Sequence, residues 1–202
     1  MPRLSQNAKA VLEQTMRQSM RSAVYELLAE KELSAISIAD VAKKINVTSM
    51  TVYNYYPSRR LLIDEAINDS RREITGKLLE AASQICDPSE KLIHLARVIC
   101  EDFEAHRFLF MARFAVVPQD DENAACARKY FDTIIDCFAS VVDEGINGGI
   151  FRKIDSKYAA MSLLGALMSF NRHAAFNWIG LGVEERLNEV KNIIIEGFKI
   201  QR

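Results

Sequence analysis

The sequence predicts an all-α protein, with an N-terminal helix-turn-helix domain of three helices and a larger helical body, about nine helices in total. Three observations carry this. Apolar residues recur at helical spacing along nearly the whole chain. Punctuation is sparse, with 8 Gly and 4 Pro in 202 residues, so strong helix formers run on without a break. No segment alternates with the period of a strand. Only Ile150 to Ile154 is a short stretch of that kind, and its isolation marks it as a loop.

The first helix spans about Asn7 to Glu30 and gathers Met16, Met20, Ala23, Val24, Leu27 and Leu28 on one face. A short helix follows Ser37, where Ser37 and Asp40 stand in capping-box spacing with Asp in place of the usual Glu. It ends near Asn46, a residue type that tolerates the left-handed conformation closing many helices. Thr48 caps a third short helix, from about Ser49 to Tyr55. Pro57 and Ser58 end that helix and lead into a long fourth one, with an apolar stripe from Leu62 to Ile85. Asp87, Pro88 and Glu90 signal the start of a fifth helix. A short sixth element carries Phe108, Phe110, Met111 and Phe114 and stops before Pro118. Residues 119–123 form a polar loop, and the seventh helix then runs to a break at Gly145 and Gly148-Gly149. Asp155 or Ser156 caps the eighth, which reaches about Trp178. Gly180 and Gly182 separate it from a ninth, about Val183 to Ile200.

Charge is unevenly distributed. Residues 1–60 hold nine Lys and Arg against five acids, a net of +4, while the remainder nets −5. A basic head on an acidic body is the footprint expected of a phosphate-binding module. The four cysteines, Cys86, Cys100, Cys126 and Cys137, are scattered singly and form no metal or redox motif with His94, His106 and His173. They are expected to be small core residues. The N-terminus lacks a secretory h-region, and no apolar run reaches membrane-spanning length, so a cytoplasmic protein without membrane contact is expected. No nucleophile elbow, P-loop, dinucleotide fingerprint or metalloenzyme motif is present. The expectation is therefore no catalytic residue, no metal and no cofactor.

The most informative segment is Ser37 to Leu62, SIADVAKKINVTSMTVYNYYPSRRLL. A short helix, a tight turn and a second capped helix make a helix-turn-helix. Ala42 is small enough for close crossing, and Val41, Ile45, Val47 and Val52 are apolar where the helices must meet. Lys43, Lys44, Ser49, Thr51, Tyr53, Asn54 and Tyr55 are left to face solvent or DNA. This stretch resembles the signature of the TetR family: a Val-Thr cap, Thr-Val-Tyr, an aromatic pair, then a basic residue and two Leu. The close likeness covers about residues 16–67, and EGINGGIFRKID with AAMSLLGAL is similar to many C-terminal domains of that family. Glu32 stands where the family usually has Gly, which implies a differently closed turn. Met50 stands where a small residue usually opens the recognition helix, and its side chain can reach a thymine methyl.

The resemblance implies a DNA-binding regulator, with residues 1–60 as the helix-turn-helix domain and 61–202 as a helical regulatory and dimerisation domain. It places Ser49, Met50, Thr51 and Tyr53 at the DNA-facing start of the recognition helix, with Tyr55 extending that surface. Thr48, Ser37 and Arg59 are assigned to phosphates, with Arg17 and Lys44 as weaker candidates, and Tyr56 is assigned to the core. A palindromic operator needs two copies about one helical turn, ~34–36 Å, apart, so a homodimer is expected. Leu163 and Leu167 of the eighth helix and Leu187, Val190, Ile194 and Phe198 of the ninth are the expected dimer interface, as a two-fold four-helix bundle. The resemblance further implies a pocket for a hydrophobic small-molecule effector. Its expected walls are Phe103, Phe110, Met111, Phe114, Tyr130, Phe131, Phe170, Asn171, His173 and Trp178. Binding there would move the fourth helix and release a repressor from double-stranded DNA. A helical DNA-binding or interaction protein without an effector is the alternative reading.

Overall fold

The computed structural model of the chain describes residues 6–115, 121–175 and 180–200. Within them lie α1 (Gln6–Glu30), a 3₁₀ turn (Leu33–Ala35), α2 (Ile38–Lys44), α3 (Ser49–Tyr55), α4 (Arg59–Gln84), α5 (Pro88–Ala105), α6 (Arg107–Ala115), α7 (Asp121–Asn147) and α8 (Ser156–Ala175). The last part is α9 (Val183–Val190), which continues through a π-helical stretch (Lys191–Ile195) into a single turn, α10 (Glu196–Phe198). The expected all-α architecture is what the chain adopts. The polar residues 121–123, expected in a loop, instead open α7.

Local chemistry accounts for most of the boundaries. The Asp40 N–H donates to Ser37 Oγ at 3.1 Å, and the Ser37 N–H donates to Asp40 Oδ2 at 2.8 Å. Aspartate therefore completes the capping box as glutamate would. At the other end of α2, Asn46 has φ 57°. There the Asn46 N–H donates to Lys43 O and the Val47 N–H to Ala42 O, a Schellman closure. Gly149, at φ 69°, closes α7 in the same way, with its N–H on Ile146 O and that of Ile150 on Gly145 O. Asp87 caps α5 through the Glu90 N–H at 2.9 Å, with Pro88 in the first turn. Asp155 rather than Ser156 caps α8, accepting from the Tyr158 N–H at 3.0 Å. Glu32 has φ −63°, so the turn after α1 needs no glycine. The Ala35 N–H bonds to Glu32 O, and a 3₁₀ turn takes over.

Two compact units result. The first comprises residues 1–70 with 108–123, and the second residues 71–107 with 124–202. In the first, Met20, Val24 and Leu28 of α1, Val41 and Ala42 of α2, Val52 of α3, Tyr56, and Leu62 and Ile67 of α4 form one apolar core. Leu109 and Ala112 of α6 join it, and the Arg113 Nε–H donates to Ser70 Oγ at 2.5 Å, both residues being buried. The short sixth helix thus completes the first unit's core.

In the second unit, Leu92, Leu95, Ala96 and Phe103 of α5 are buried, as are Phe138 and Val142 of α7, Ala160, Leu163 and Leu167 of α8, and Leu187 and Val190 of α9. Lys91 reaches Glu144 at 2.5 Å, linking α5 to α7. Phe151 and Lys199 form an isolated antiparallel bridge, reinforced by the Arg152 N–H on Phe198 O at 2.7 Å. The strand-like stretch after α7 therefore pairs with the end of the chain without making a sheet. Cys100 and Cys137 are buried as expected, but Cys86 and Cys126 are exposed, which removes them from the core.

Candidate nucleic-acid interface

The recognition surface is assembled around α3. Thr48 Oγ1 accepts from the Thr51 N–H at 3.1 Å and lies 3.0 Å from Thr51 Oγ1, which fixes the first turn. Val52 is completely buried and pins the helix by its inner face. The opposite face is left open: Met50 is 70% exposed and Tyr53 46% exposed, Asn54 is exposed, and Ser49 and Thr51 are half-buried. Met50 and Tyr53, three residues apart, lie side by side on this open face. Tyr56 is buried, as expected for a core residue, with Arg17 stacked 5.0 Å over its ring. Burial raises the pKa of its phenol, and Arg21 opposes the shift through a hydrogen bond.

Other expected contacts are placed differently. Tyr55 is half-buried against the first unit's core rather than extending the open face. The Arg59 Nε–H donates to Ile36 O at 2.5 Å and an Nη2–H donates to Leu33 O. Its guanidinium is thus tied to the carbonyls between the 3₁₀ turn and α2. Because arginine spreads its donors in a planar fork, it joins the start of α4 to α2 and is not an unengaged phosphate ligand. Lys44 sits 3.1 Å from Glu26 and 3.4 Å from Glu30, and these carboxylates raise its pKa above the ordinary value. Arg17 is paired with Glu13 at 3.3 Å and Glu65 at 3.6 Å. Ser37 is exposed at the N-terminus of α2, but its hydroxyl already donates to Asp40 Oδ2 at 2.7 Å. Lys43, which the family likeness did not single out, is exposed and makes no ion pair among the described residues.

The basic excess of residues 1–60 is also smaller in three dimensions. Asp64, Glu65 and Asp69 of α4 lie in the same unit and pair with Arg60, Arg17 and Arg21. A window cut at residue 60 counts the cations and omits these carboxylates.

An exposed α3, capped at its N-terminus by Thr48, beside α2 on a three-helix core is the geometry of a DNA-reading helix-turn-helix. Residues 21–66 match the family of bacterial regulatory proteins described as tetR, and residues 89–191 match the tetracyclin repressor-like C-terminal domain. The chain belongs to the TetR family. Its residues 21–66 carry the helix-turn-helix domain of that family of bacterial regulatory proteins. Over 138 residues it is 22% identical to the HTH-type transcriptional repressor KstR2 of Mycobacterium tuberculosis, a match covering 62% of this chain and 64% of that repressor. The chain thus spans somewhat less than two thirds of the curated relative it matches. Among solved structures, it superposes on a transcriptional regulator from Saccharomonospora viridis in complex with choline, with a TM-score of 0.84 and 15% identity, over 93% of this chain and 100% of that one. It also superposes on FadR from Bacillus subtilis in complex with stearoyl-CoA, with a TM-score of 0.73 and 15% identity, over 89% and 98% of the two chains. At such identities these two share its fold.

The expected effector walls divide between the two units. Phe110 and Met111 belong to the first unit with α6, whereas Phe103, Tyr130, Phe131, Phe170, Asn171 and His173 belong to the second. The side chain of Phe114, and Trp178 entirely, lie outside the described residues. Phe131 is exposed and meets Tyr130 edge-on at 5.1 Å, and Arg71 stacks over the Tyr130 ring. His173 lies with Nδ1 2.7 Å from Ser169 O of its own helix. Phe103 and Asn171 are fully buried and meet through Arg186 of α9, which donates to Asn171 Oδ1 at 2.7 Å and stacks 5.7 Å over the Phe103 ring. A separate open groove of about 410 Å³ lies against α4 and α5, lined by Glu80, His94, Glu101, Asp102 and His106. It includes none of the expected wall residues. No helix among the described residues is long and apolar enough to cross a membrane.

The expected dimer residues are corrected in part. Leu163, Leu167, Leu187, Val190 and Phe198 are buried within a single protomer, and Ile194 is half-buried. They form the second unit's own core, where α5, α8 and α9 pack together. The apolar residues still open on these helices are Tyr158 (71% exposed) and Met161 (51%) on α8, and Ile193 (61%) on the π-helical stretch.

Proposed function

We propose that this chain is a ligand-responsive repressor, working in the cytoplasm, that binds a palindromic operator as a homodimer and leaves it when a small molecule with a large apolar body binds the second unit. Residues 1–60 would carry DNA recognition and residues 61–202 regulation and dimerisation. The observation that carries this reading is the open face of α3, where Met50 and Tyr53 stand exposed on a helix held from behind by the buried Val52. Ser49, Met50, Thr51 and Tyr53 enter the major groove, Met50 against a thymine methyl. Thr48 and Lys43 face phosphates, as does the N-terminus of α2 at Ser37, where backbone N–H groups suit an anion. Arg59 acts behind them as a brace.

Each chain presents one helix-turn-helix, so reading two half-sites requires two chains. Tyr158, Met161 and Gly165 recur at helical spacing on one exposed face of α8, and no atom lies within 4 Å of where a Gly165 side chain would begin. A second copy of α8 can approach closely there, and Ile193 adds to the same contact. The ligand-bound relatives, with choline and with stearoyl-CoA, support an effector as a class without naming it. The chain path offers a coupling route, because α4 begins in the first unit and ends in the second. A ligand that favours one arrangement of the second unit shifts the population of protomers able to span both half-sites.

The test is a mobility shift on DNA selected by the purified protein. Specific binding should weaken with rising salt, as phosphate contacts demand. Tyr53→Ala should lower affinity for the selected site by about ten-fold or more, corresponding to about 1–3 kcal/mol for a lost base contact, while leaving nonspecific binding unchanged. Equal loss on selected and random DNA would remove Tyr53 from the groove.

A further inference from the structure

We propose that the effector is anchored by the Asn171 side-chain amide, and that it is a molecule whose apolar body carries a hydrogen-bond-accepting oxygen, a carbonyl or a carboxylate. This rests on the effector reading above and names the chemistry of its site.

The observation is a buried polar cluster where α5, α8 and α9 meet, all within the second unit. Arg186 is fully buried. Its Nε–H donates to Gly182 O at 3.2 Å, one Nη1–H to Asn171 Oδ1 at 2.7 Å, and one Nη2–H to Glu104 Oε1. The Cys100 thiol also donates to Asn171 Oδ1, at 3.6 Å. A guanidinium only donates, so the amide of Asn171 cannot be turned round: its oxygen must face Arg186. Its nitrogen is then left over. Asn171 is fully buried, and Nδ2 has no hydrogen-bond partner. Native proteins rarely keep such an atom without a reason outside the chain itself.

What the cluster offers decides the ligand class. Asn171 Oδ1 is filled by Arg186 and Cys100, while both N–H groups of Asn171 and two of the five guanidinium N–H groups of Arg186 remain unspent, so donors outnumber the one Glu104 oxygen left over. An ordered water would accept from Nδ2 but would need acceptors for its own two protons, and the one left in the cluster is the second oxygen of the half-exposed Glu104. A carbonyl or carboxylate oxygen needs only donors. An amine or ammonium ligand would find only the second oxygen of Glu104 and would face the positive charge of Arg186. The cluster also reaches the surface, because Glu104 is 52% exposed on its side chain while Arg186 is not exposed at all. Glu104 can turn to water, leaving the guanidinium to a ligand carboxylate. Phe103, stacked beneath Arg186, supplies an aromatic wall for the ligand's body.

The experiment uses the full-length protein labelled with ¹⁵N and three probes of one shape: acetophenone, benzoate and ethylbenzene. The Asn171 side-chain amide resonance is assigned by its disappearance in Asn171→Asp. That variant keeps an oxygen facing Arg186 and loses the donors, but it adds a negative charge that repels benzoate, so the comparison rests on the neutral pair acetophenone and ethylbenzene. Acetophenone and benzoate should shift the Asn171 resonance and bind about five- to ten-fold more tightly than ethylbenzene, the advantage of one added hydrogen bond. In Asn171→Asp acetophenone should fall to the level of ethylbenzene. Equal binding of acetophenone and ethylbenzene, unchanged by the substitution, overturns the anchor while effector binding stands. If neither oxygen-bearing probe moves the wild-type resonance, the proposal also fails. Failure of ethylbenzene as well counts against the effector reading itself.

Discussion

Arg59 shows how a single residue's role depends on partners distant in sequence. Its position at the start of α4, after the recognition helix, suggests a phosphate ligand. Its hydrogen bonds to Leu33 O and Ile36 O make it a brace. Removing it strands two carbonyls and loses two charge-assisted hydrogen bonds, so Arg59→Ala should destabilise the protein by about 1–3 kcal/mol. Arg59→Lys should restore little, since a single ammonium cannot span both acceptors. Urea unfolding measures this, and an unchanged midpoint would return Arg59 to the DNA surface. Asp40 makes a second prediction at this scale. The Ser37 hydroxyl, with Lys31 and the Ser37 N–H, holds its carboxyl well below the usual carboxylate range. A depressed folded pKa stabilises the protein above the unfolded value, and that stability is lost as pH falls below about 4. Wild type should therefore be more stable than Asp40→Asn at neutral pH, and the gap should close in acid. A gap that stays constant down to pH 2 would show that the charge contributes nothing. The Ser37–Asp40 box and the left-handed Asn46 were legible in the sequence because each is decided within a few residues. The partners of Arg59 lie 23 and 26 residues away, beyond any local pattern.

At the scale of elements, glycines reveal what periodicity misses. Gly148-Gly149 marks the end of α7, as a glycine pair suggests. Gly145, read as part of the same break, lies inside α7 and is buried. A Cβ built there would fall 2.1 Å from Cδ2 of Phe151, whose ring is itself buried and packed edge-on at 6.1 Å against Phe198. Two effects of Gly145→Ala compete. Helix propensity favours alanine by about 1 kcal/mol, while forcing a methyl into a filled space costs about 1–3 kcal/mol and more where nothing can yield. At 2.1 Å the clash wins, and the substitution should lower the melting temperature. In a Phe151→Leu background the same change should cost much less, because the space is relieved. Equal costs in both backgrounds would refute the contact. Helix α6 carries a related lesson. Its aromatic residues suggested a ligand wall, yet Leu109 and Ala112 complete the first unit's core. Composition identifies an apolar helix but not the neighbour that buries it.

For the whole molecule, the same limit governs assembly. Helices α8 and α9 are apolar on more than one face, and from sequence either face could meet a second subunit. Burial separates them. Leu163 and Leu167 are inaccessible in one protomer, whereas Tyr158 and Met161, on the same helix, are open. The two classes predict different failures. Leu163→Ala should cost about 2–5 kcal/mol of protomer stability by leaving a cavity. A Tyr158→Asp, Met161→Glu double variant should leave helix content unchanged, because neither side chain supports the protomer. It should nevertheless make the protein monomeric, since two carboxylates on each subunit would be forced together across a two-fold axis. Sedimentation equilibrium reads the assembly and circular dichroism the fold. Because each monomer carries one recognition helix, the double variant should also lose most of its affinity for a palindromic site while retaining weak binding to a half-site. A double variant that remains dimeric with full operator affinity would place the subunit contact elsewhere and leave the open face of α8 without a role.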